Sequence, residues 1–456
     1  MREKMKNLLP KPLIGLAKAC PSPLYVVGGT VRDILADLTP LTNKYDWDIC
    51  SPLPFEQFLS IAEDCHFQIK STFRATGTVK LLDAEGNEYE YCSFRSDKYV
   101  RGTHVPVEIF FTDDIALDAR RRDFTANAVY FDIQKSDFVD PLNGICAIKE
   151  KRLSTVAPAE KVFGEDGLRL MRLARQAACL GFTPDAECLA GASTNASLIE
   201  DITPERIYAE LCQLLFADQK YGVKNGHYVG LKILEQTGVL HHILPELTLG
   251  KGMTQRPDFH KYDVLEHSLR ACSYAKKDVR LAALLHDVGK PFCTIRDGNS
   301  YVHPQEGATI AKDILTRLKA PKKEIQRIPA LIEWHMYDFN CQTSENKLRR
   351  FFVTHIDILE DLLQLKQADF SACTDDFSIA PTCKRWYTLL EKMQIEKAPL
   401  RLKELAVTGK DVLLLGIPAK DISKLLNALL LHAAVHPADN EKQRLLPLAK
   451  GFVKNL

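Results

Sequence analysis

The chain is 456 residues long, 46% of them hydrophobic and 26% charged, which is ordinary soluble composition with room for two to four domains. Sixty basic side chains against 59 acidic ones leave a net charge of +1, so any nucleic-acid surface must be a local patch and a global basic field is excluded. The 13 cysteines are scattered without a CxxC pair, which predicts reduced thiols, no disulfide and a cytoplasmic protein. No run of residues approaches the roughly 18 apolar positions that a membrane span needs.

The N-terminal stretch MREKMKNLLPKPLIGLAKACPSP has no sustained apolar run and reads as a leading amphipathic helix. Leu24-Tyr25-Val26-Val27, bounded by Gly28 and Gly29, predicts a buried strand turning into a helix that starts near Val31. The glycines allow close backbone approach. A helix N-terminus offers unpaired N–H groups to a phosphate, and Arg32 lies one turn in to meet it. In Asp46-Trp47-Asp48-Ile49 the two aspartates, if on a strand, project from one face as hard oxygen ligands suited to Mg²⁺. Two metals so held serve phosphoryl or nucleotidyl transfer. Each half also has a plain reading, a common turn before a helix and a solvated turn. Together, the GGTVRD and DWD segments resemble the head of the class II tRNA nucleotidyltransferase and bacterial poly(A) polymerase family, whose pattern is GG-x-VRD followed by D-x-D.

Pro52 and Pro54 introduce a helical segment, and GTVKLLDAEGNEYEYCSFR predicts a hairpin turning around Glu85-Gly86-Asn87. Glu88 and Glu90 share a face of its second strand. The resemblance makes Glu90 the third acidic residue of the site; a solvated edge-strand face is the alternative. Ser96 to Pro106 is a charged, glycine-containing loop. By the resemblance, its presence favours enzymes able to switch to ATP, because relatives that add only CC typically lack it. Arg121-Arg122-Asp123-Phe124-Thr125, followed by Asn127-Ala128, resembles the family's RRDFT-x-NA motif. Guanidinium groups there can grip a triphosphate or ribose bidentately. Asp140-Pro141-Leu142-Asn143-Gly144 is a turn closing the first domain near residue 150.

FGEDGLRLMRLARQAACLGF reads as a helix on which Asp166, Arg169, Arg172 and Arg175 recur every three residues along one face. That stripe is either a solvated charged face or, as the resemblance implies through the family's EDxxR motif, the reader of the incoming base. An Asp accepts from an amino group and an Arg donates to ring nitrogen or carbonyl, which selects C or A without a template. Gly167 stands where the family usually has Pro, a change expected to loosen the helix start. TPERIYAELCQLL and GLKILEQTGVLHHILPEL continue as helices and resemble the family's neck and body.

A second constellation follows: YDVLEHSLRA, VRLAALLHDVGKP, VHPQEGA, EWHMYDF and LKQADFSA. The ordered set His267, His286, Asp287 and Asp369 resembles the HD metal-dependent phosphohydrolase superfamily, and imidazole with carboxylate suits a divalent metal. His303 and His335 are either ligands of a second HD metal or ordinary surface histidines. Beyond about residue 375 the chain is helical and moderately basic, either contacting tRNA phosphates or packing on the HD domain.

The resemblance therefore implies an α+β protein. A small mixed-sheet nucleotidyltransferase head (1–150) is followed by an all-α neck and body (151–250), an HD domain (251–375) and a helical C-terminal region (376–456). The implied activity is template-independent addition of CCA to the 3′ end of tRNA from CTP and ATP. Asp46 and Asp48 would hold Mg²⁺, Glu90 would assist, and Gly29, Arg32 and Arg122 would hold the nucleotide. The HD domain would take Ni²⁺, Co²⁺, Mn²⁺ or Mg²⁺ and act as a phosphohydrolase in RNA repair. The alternatives are CC-only or A-only addition, poly(A) synthesis, or an HD phosphohydrolase whose head is an RNA-binding module.

Overall fold

The protein is described here from a computed structural model covering residues 1–100, 106–415 and 417–453. Short apolar runs in the first third of the chain build one seven-stranded mixed sheet. Its strands are β1 (Tyr25–Val27), β2 (Trp47–Ser51), β3 (Gln68–Phe73), β4 (Thr78–Leu82), β5 (Glu88–Ser93), β8 (Tyr130–Asp132) and β9 (Asp137–Val139), in the order β3-β4-β5-β2-β1-β8-β9. Between β5 and β8 a separate antiparallel pair, β6 (Arg95–Lys98) and β7 (Glu108–Phe111), stands apart from that sheet. The central strands carry Val26, Ile49, Tyr91 and Phe131 into the core, all buried. Val27, Cys50, Phe94, Ala119, Ala128 and Tyr130 belong to one buried apolar cluster. The predicted β4–β5 hairpin is present, turning between Leu82 and Glu88. Everything after residue 184 is helical or irregular among the described residues.

The chain forms two compact units. One comprises Met1–Thr248 with Arg317–Ala320, the other Leu249–Thr316 with Pro321–Leu456.

Four local expectations are corrected. The N-terminal segment is two helices, Arg2–Leu8 and Lys11–Ala19, because Pro10 and Pro12 cannot sit inside a continuous one. The glycine turn is tighter than expected, and its helix spans Gly29–Leu35. The loop expected from Ser96 to Pro106 begins as strand β6, while residues 101–105 lie outside the described residues. The helix expected through EDGLR is broken, with Ala159–Glu165 ending at Asp166 and Leu168–Leu180 starting after Gly167. Gly409 opens the helix Gly409–Leu413, and Gly416 lies outside the described residues.

Candidate active site and candidate metal centre

In the first unit, the register of three strands sets the carboxylates. β1 pairs antiparallel with β2, placing Val27 opposite Asp48, and β2 pairs parallel with β5, placing Asp48 beside Glu90. A cleft of about 430 Å³ opens there, lined by Gly28, Asp48, Glu90, Arg122, Asp166 and Arg172 among others. Gly28 has φ +80°, and a Cβ on it would lie 2.8 Å from Asp48 Oδ2, so this position needs glycine twice over. Gly29, the glycine singled out from sequence, lines the cleft under no such constraint.

Asp46 does not share a strand face with Asp48. It precedes β2, its carbonyl accepts the Thr30 hydroxyl at 2.6 Å, and its side chain is 83% exposed, 3.5 Å from Lys220 Nζ. The two carboxylates still feel each other. Burial disfavours charge on Asp48; Arg122 opposes that, Glu90 and Asp46 add to it, and the carboxyl is pushed up to about 6. Carboxylates crowded at a polar cleft are a donor set that a divalent cation relieves, so these residues fit the metal implied by the sequence.

The basic residues divide into braces and free ends. Arg32 lines the cleft, yet its guanidinium bonds Asp33 twice, Asn127 at 2.7 Å, Gln176 at 3.0 Å and Tyr221 at 3.4 Å. All five N–H donors are thereby used. Arg121 and Arg122 both anchor on buried Asp118, at 2.8 and 3.2 Å, and Asp118 also accepts from Tyr130 at 2.7 Å. Asp166 caps the helix Leu168–Leu180 through Leu168 N–H at 2.9 Å and faces the cleft. Arg169 is buried: it bonds the carbonyls of Val162 and Arg121, each at 2.9 Å, and Glu165 at 3.0 Å. Its Nε–H and one Nη2–H have no hydrogen-bond partner among the described residues, and the Tyr99 ring lies 5.6 Å away. Arg172 pairs with Asp123 at 2.7 Å, and although burial opposes the charge, Arg172 and Asn127 hold the Asp123 carboxyl down at about 2.

Arg175 departs from the expected stripe. It is absent from the cleft lining and pairs with Glu210 on the helix Pro204–Leu215, at 2.6 Å. Each step of three residues falls about 60° short of a full turn, so a spacing of exact threes cannot stay on one face of a 3.6-residue helix. Gly167 is not loosening a helix either, since a Cβ there would lie 2.3 Å from the carbonyl oxygen of Leu198.

In the second unit, separate helices deliver one buried cluster. His267 comes from Val264–Tyr274, His286 and Asp287 follow Arg280–Leu285, His303 opens His303–Arg317, His335 caps Lys322–Trp334, and Asp369 lies on Leu359–Thr374. His267 Nε2 is 3.1 Å from both His286 Nε2 and Asp369 Oδ1, and 3.4 Å from Asp287 Oδ2. On the other side of the same carboxylate, Asp287 Oδ1 lies 3.3 Å from His303 Nε2 and 3.8 Å from His335 Nε2. Asp287 thus faces two subsites.

The imidazoles are oriented for ligation. Nδ1 of His286, His303 and His335 is tied to the carbonyl three residues earlier, at 2.7, 2.7 and 2.6 Å, which directs a bare Nε2 inward. Nε2 atoms of His303 and His335 then face one another at 3.3 Å. Bare lone pairs that close repel unless a proton or a metal lies between them, so the donor set fits two divalent ions. Burial disfavours charge on His286, but Asp287 and Asp369 push it up to about 10; burial and the neighbouring imidazoles push His335 down to about 3.

Sequence reading missed several residues that these sites use. Asp118 could have been found as a carboxylate three and four positions before two arginines. Lys220, Gln176 and Tyr99 line the cleft without a motif. Lys290 reaches Asp287 Oδ2 at 2.6 Å from within the quoted HDVGK run.

Comparison with known proteins finds matches over the regions that hold both sites. Residues 24–154 match the Poly A polymerase head domain, 181–249 the "probable RNA and SrmB-binding site of polymerase A", and 259–362 the HD domain. An A-adding tRNA nucleotidyltransferase of Deinococcus radiodurans is 31% identical over 430 residues, covering 89% of this chain and 90% of that protein. The chain belongs to the tRNA nucleotidyltransferase family. This nucleotidyltransferase is also 29% identical over 433 residues to a CC-adding enzyme of Thermus thermophilus, covering 90% of this chain and 89% of that one. Among solved structures, the Bacillus stearothermophilus CCA-adding enzyme in complex with CTP shares its fold, with TM-score 0.64 and 23% identity over 98% of this chain and all of that one. The Thermotoga maritima CCA-adding enzyme complexed with tRNA aligns with TM-score 0.58 and 16% identity, over 99% of this chain and 98% of that one. The expected fold class, enzyme class and family are borne out. No helix among the described residues is long and apolar enough to cross a membrane.

Proposed function

We propose that this tRNA nucleotidyltransferase adds CCA to the 3′ end of tRNA from CTP and ATP in the cytoplasm, with a separate phosphohydrolase site in its HD region. We divide it into head (1–150), neck and body (151–250), HD domain (251–375) and C-terminal region (376–456). The observation that carries the reading is one cleft holding Asp48 and Glu90 on adjacent strands opposite Asp166, Arg169 and Arg172.

Asp46 and Asp48, with Glu90 beside them, would hold Mg²⁺, which when bound supplies acidity to the RNA 3′-hydroxyl and neutralises the leaving pyrophosphate. The protein's own part is positioning. Asp118 fixes Arg121 and Arg122, so Arg122 meets the nucleotide as a pre-oriented cation. Gly28 and Gly29 let the triphosphate approach the backbone. Arg32 acts from below, holding Asn127 and Gln176 in place.

Asp166 accepts from the exocyclic amine of cytosine or adenine, and Arg169 donates to the adjacent ring nitrogen, with Arg172 alongside. Uracil and guanine present the reverse pattern at that edge, an acceptor facing Asp166 and a donor facing Arg169, and are disfavoured.

In the HD domain, His267, His286, Asp287 and Asp369 would hold one divalent ion, among Ni²⁺, Co²⁺, Mn²⁺ and Mg²⁺. His303, His335 and the other oxygen of Asp287 would hold a second. Such ions polarise a phosphoryl oxygen and supply an activated water. Phosphate mono- or cyclic diesters at damaged 3′ ends are the substrates we assign.

The test is incubation of purified protein with tRNA lacking its 3′ end, with CTP and ATP separately and together. Ordered C, C, A incorporation supports the reading. A single A on tRNA ending in CC, arrest after CC, or a long A tail each replaces it with the corresponding narrower or broader activity, and no incorporation overturns it.

A further inference from the structure

Lys366 is a buried cation that neither site uses directly. It lies on the helix Leu359–Thr374, one turn before Asp369, with only 5% of its surface exposed. Its Nζ donates to the carbonyl oxygens of His335 and Tyr337, both at 2.6 Å. The remaining face sits 4.9 Å from the ring of Trp386, itself fully buried and fixed by Nε1–H to Asp338 at 2.9 Å. No carboxylate lies within ion-pair distance of Lys366 among the described residues.

A buried ammonium without a carboxylate is expensive, and a packed apolar side chain would fill this position at less cost. What the lysine supplies is a double grip on the C-terminal end of Lys322–Trp334, where carbonyls lack intrahelical partners and the dipole favours a cation. His335 caps that helix, with its Nδ1 tied to Ile332 O. The grip on its carbonyl therefore fixes where its Nε2 points. The same lysine side chain springs from the helix that carries Asp369, so one rigid element sets the distance between a residue of the first subsite and a residue of the second.

We propose that Lys366 is a positioning residue for the second metal subsite of the HD cluster, acting through His335. This rests on the metal-binding reading of that cluster. Replacing the ammonium frees the end of the helix and lets the His335 ring swing away from His303, while His267, His286 and Asp287, on other helices, keep their places.

The experiment is calorimetric titration of metal-free full-length protein with Mn²⁺, comparing wild type, K366M and H335A, with nucleotide addition measured on the same samples as a check of folding. The expected result, with no nucleotide present to complete the head site, is two tightly held ions in wild type, both at the HD cluster. K366M and H335A should each keep the tighter ion and bind the second about 10- to 100-fold more weakly, the range for loss of a group that orients a ligand. The double variant K366M/H335A should be no worse than H335A alone, which a merely structural lysine would not give. Two ions bound to folded K366M with wild-type affinities overturn the Lys366 inference and leave the metal reading standing. One ion or none in wild type overturns the two-metal reading instead. Should K366M lose nucleotide addition or its melting transition, K366Q, which keeps donors on a shorter arm, is judged by the same outcomes.

Discussion

The two sites hold acidic groups in opposite ways. In the head, Asp46 is exposed, Asp48 and Glu90 line an open polar cleft, and the arginines around them are already braced by Asp118, Asp123 and Glu165. In the HD cluster, His267, His286, Asp287 and His335 are all buried, and their ligating atoms fall in overlapping groups whose members lie within 4.8 Å of one another. On the proposed reading, the head offers a few carboxylates and the rest of a coordination sphere would be completed by substrate phosphates, the usual arrangement for Mg²⁺. The HD cluster draws its donors from several helices of the fold itself, so that holding an ion there needs no substrate, and positions are left for water and a phosphoryl oxygen. On that reading, one site would be finished by its nucleotide and the other by its fold.

The largest expected effect follows from that difference. Asp48→Ala should abolish nucleotide incorporation while tRNA binding persists, because few ligands are present and each matters. Residual incorporation above about a tenth of wild type would remove the metal assignment at Asp48. Asp46→Ala is expected to behave the same way, although Asp46 lies off the strand, because its carboxylate stands close enough to raise the pKa of Asp48.

Next in size is base choice. Asp166→Ala should lower discrimination of CTP and ATP against UTP and GTP by about 10- to 100-fold, the scale of one lost base-edge contact, with triphosphate affinity changed far less. Unchanged misincorporation with collapsed nucleotide affinity would make Asp166 a structural cap through Leu168 instead.

Gly167→Pro sharpens the comparison by restoring the residue usual in the family. Here it should destabilise the protein by about 1–3 kcal/mol, since the added atoms meet the Leu198 carbonyl. Unfolding midpoints in urea measure this, and a stabilised variant would show that the segment carrying Leu198 gives way. The smallest effect belongs to Arg175→Ala. It should leave base selection unaltered and cost about 1–2 kcal/mol of stability through the stranded Glu210 carboxylate. A loss of selectivity equal to that of Asp166→Ala would return Arg175 to the base-reading set.

These variants also mark what was legible in the sequence. Motifs with fixed local spacing came through: Asp48 and Glu90 do meet, and the scattered HD residues do converge, because element order and residue type constrain them together. Positions that depend on where a strand begins or a helix breaks did not. Asp46 falls one residue outside β2, and Asp166 one residue beyond the helix Ala159–Glu165, and neither boundary has a signature in the alternation of apolar residues. Period alone places Arg175 with Asp166, yet its partner Glu210 lies 35 positions away and is invisible to local reasoning. Gly28 and Gly167 could be noticed as glycines, but the backbone and side-chain atoms they make room for, Leu198 O and Asp48 Oδ2, come from elsewhere in the chain. Lys366 carried no signal at all, being a lysine on an amphipathic helix.

The claim that one site is completed by substrate and the other by the fold is tested most directly by H286A/D287A, assayed beside wild type for bound metal after dialysis into metal-free buffer and for CMP and AMP addition in Mg²⁺. The account predicts metal retained by wild type and lost from the double variant. Metal-dependent phosphate-ester hydrolysis should disappear with it, while nucleotide addition stays within about twofold, as expected for sites without shared partners. A double variant that folds normally but no longer adds nucleotides, or a wild type that retains no metal and hydrolyses nothing with Ni²⁺, Co²⁺, Mn²⁺ or Mg²⁺, would contradict it.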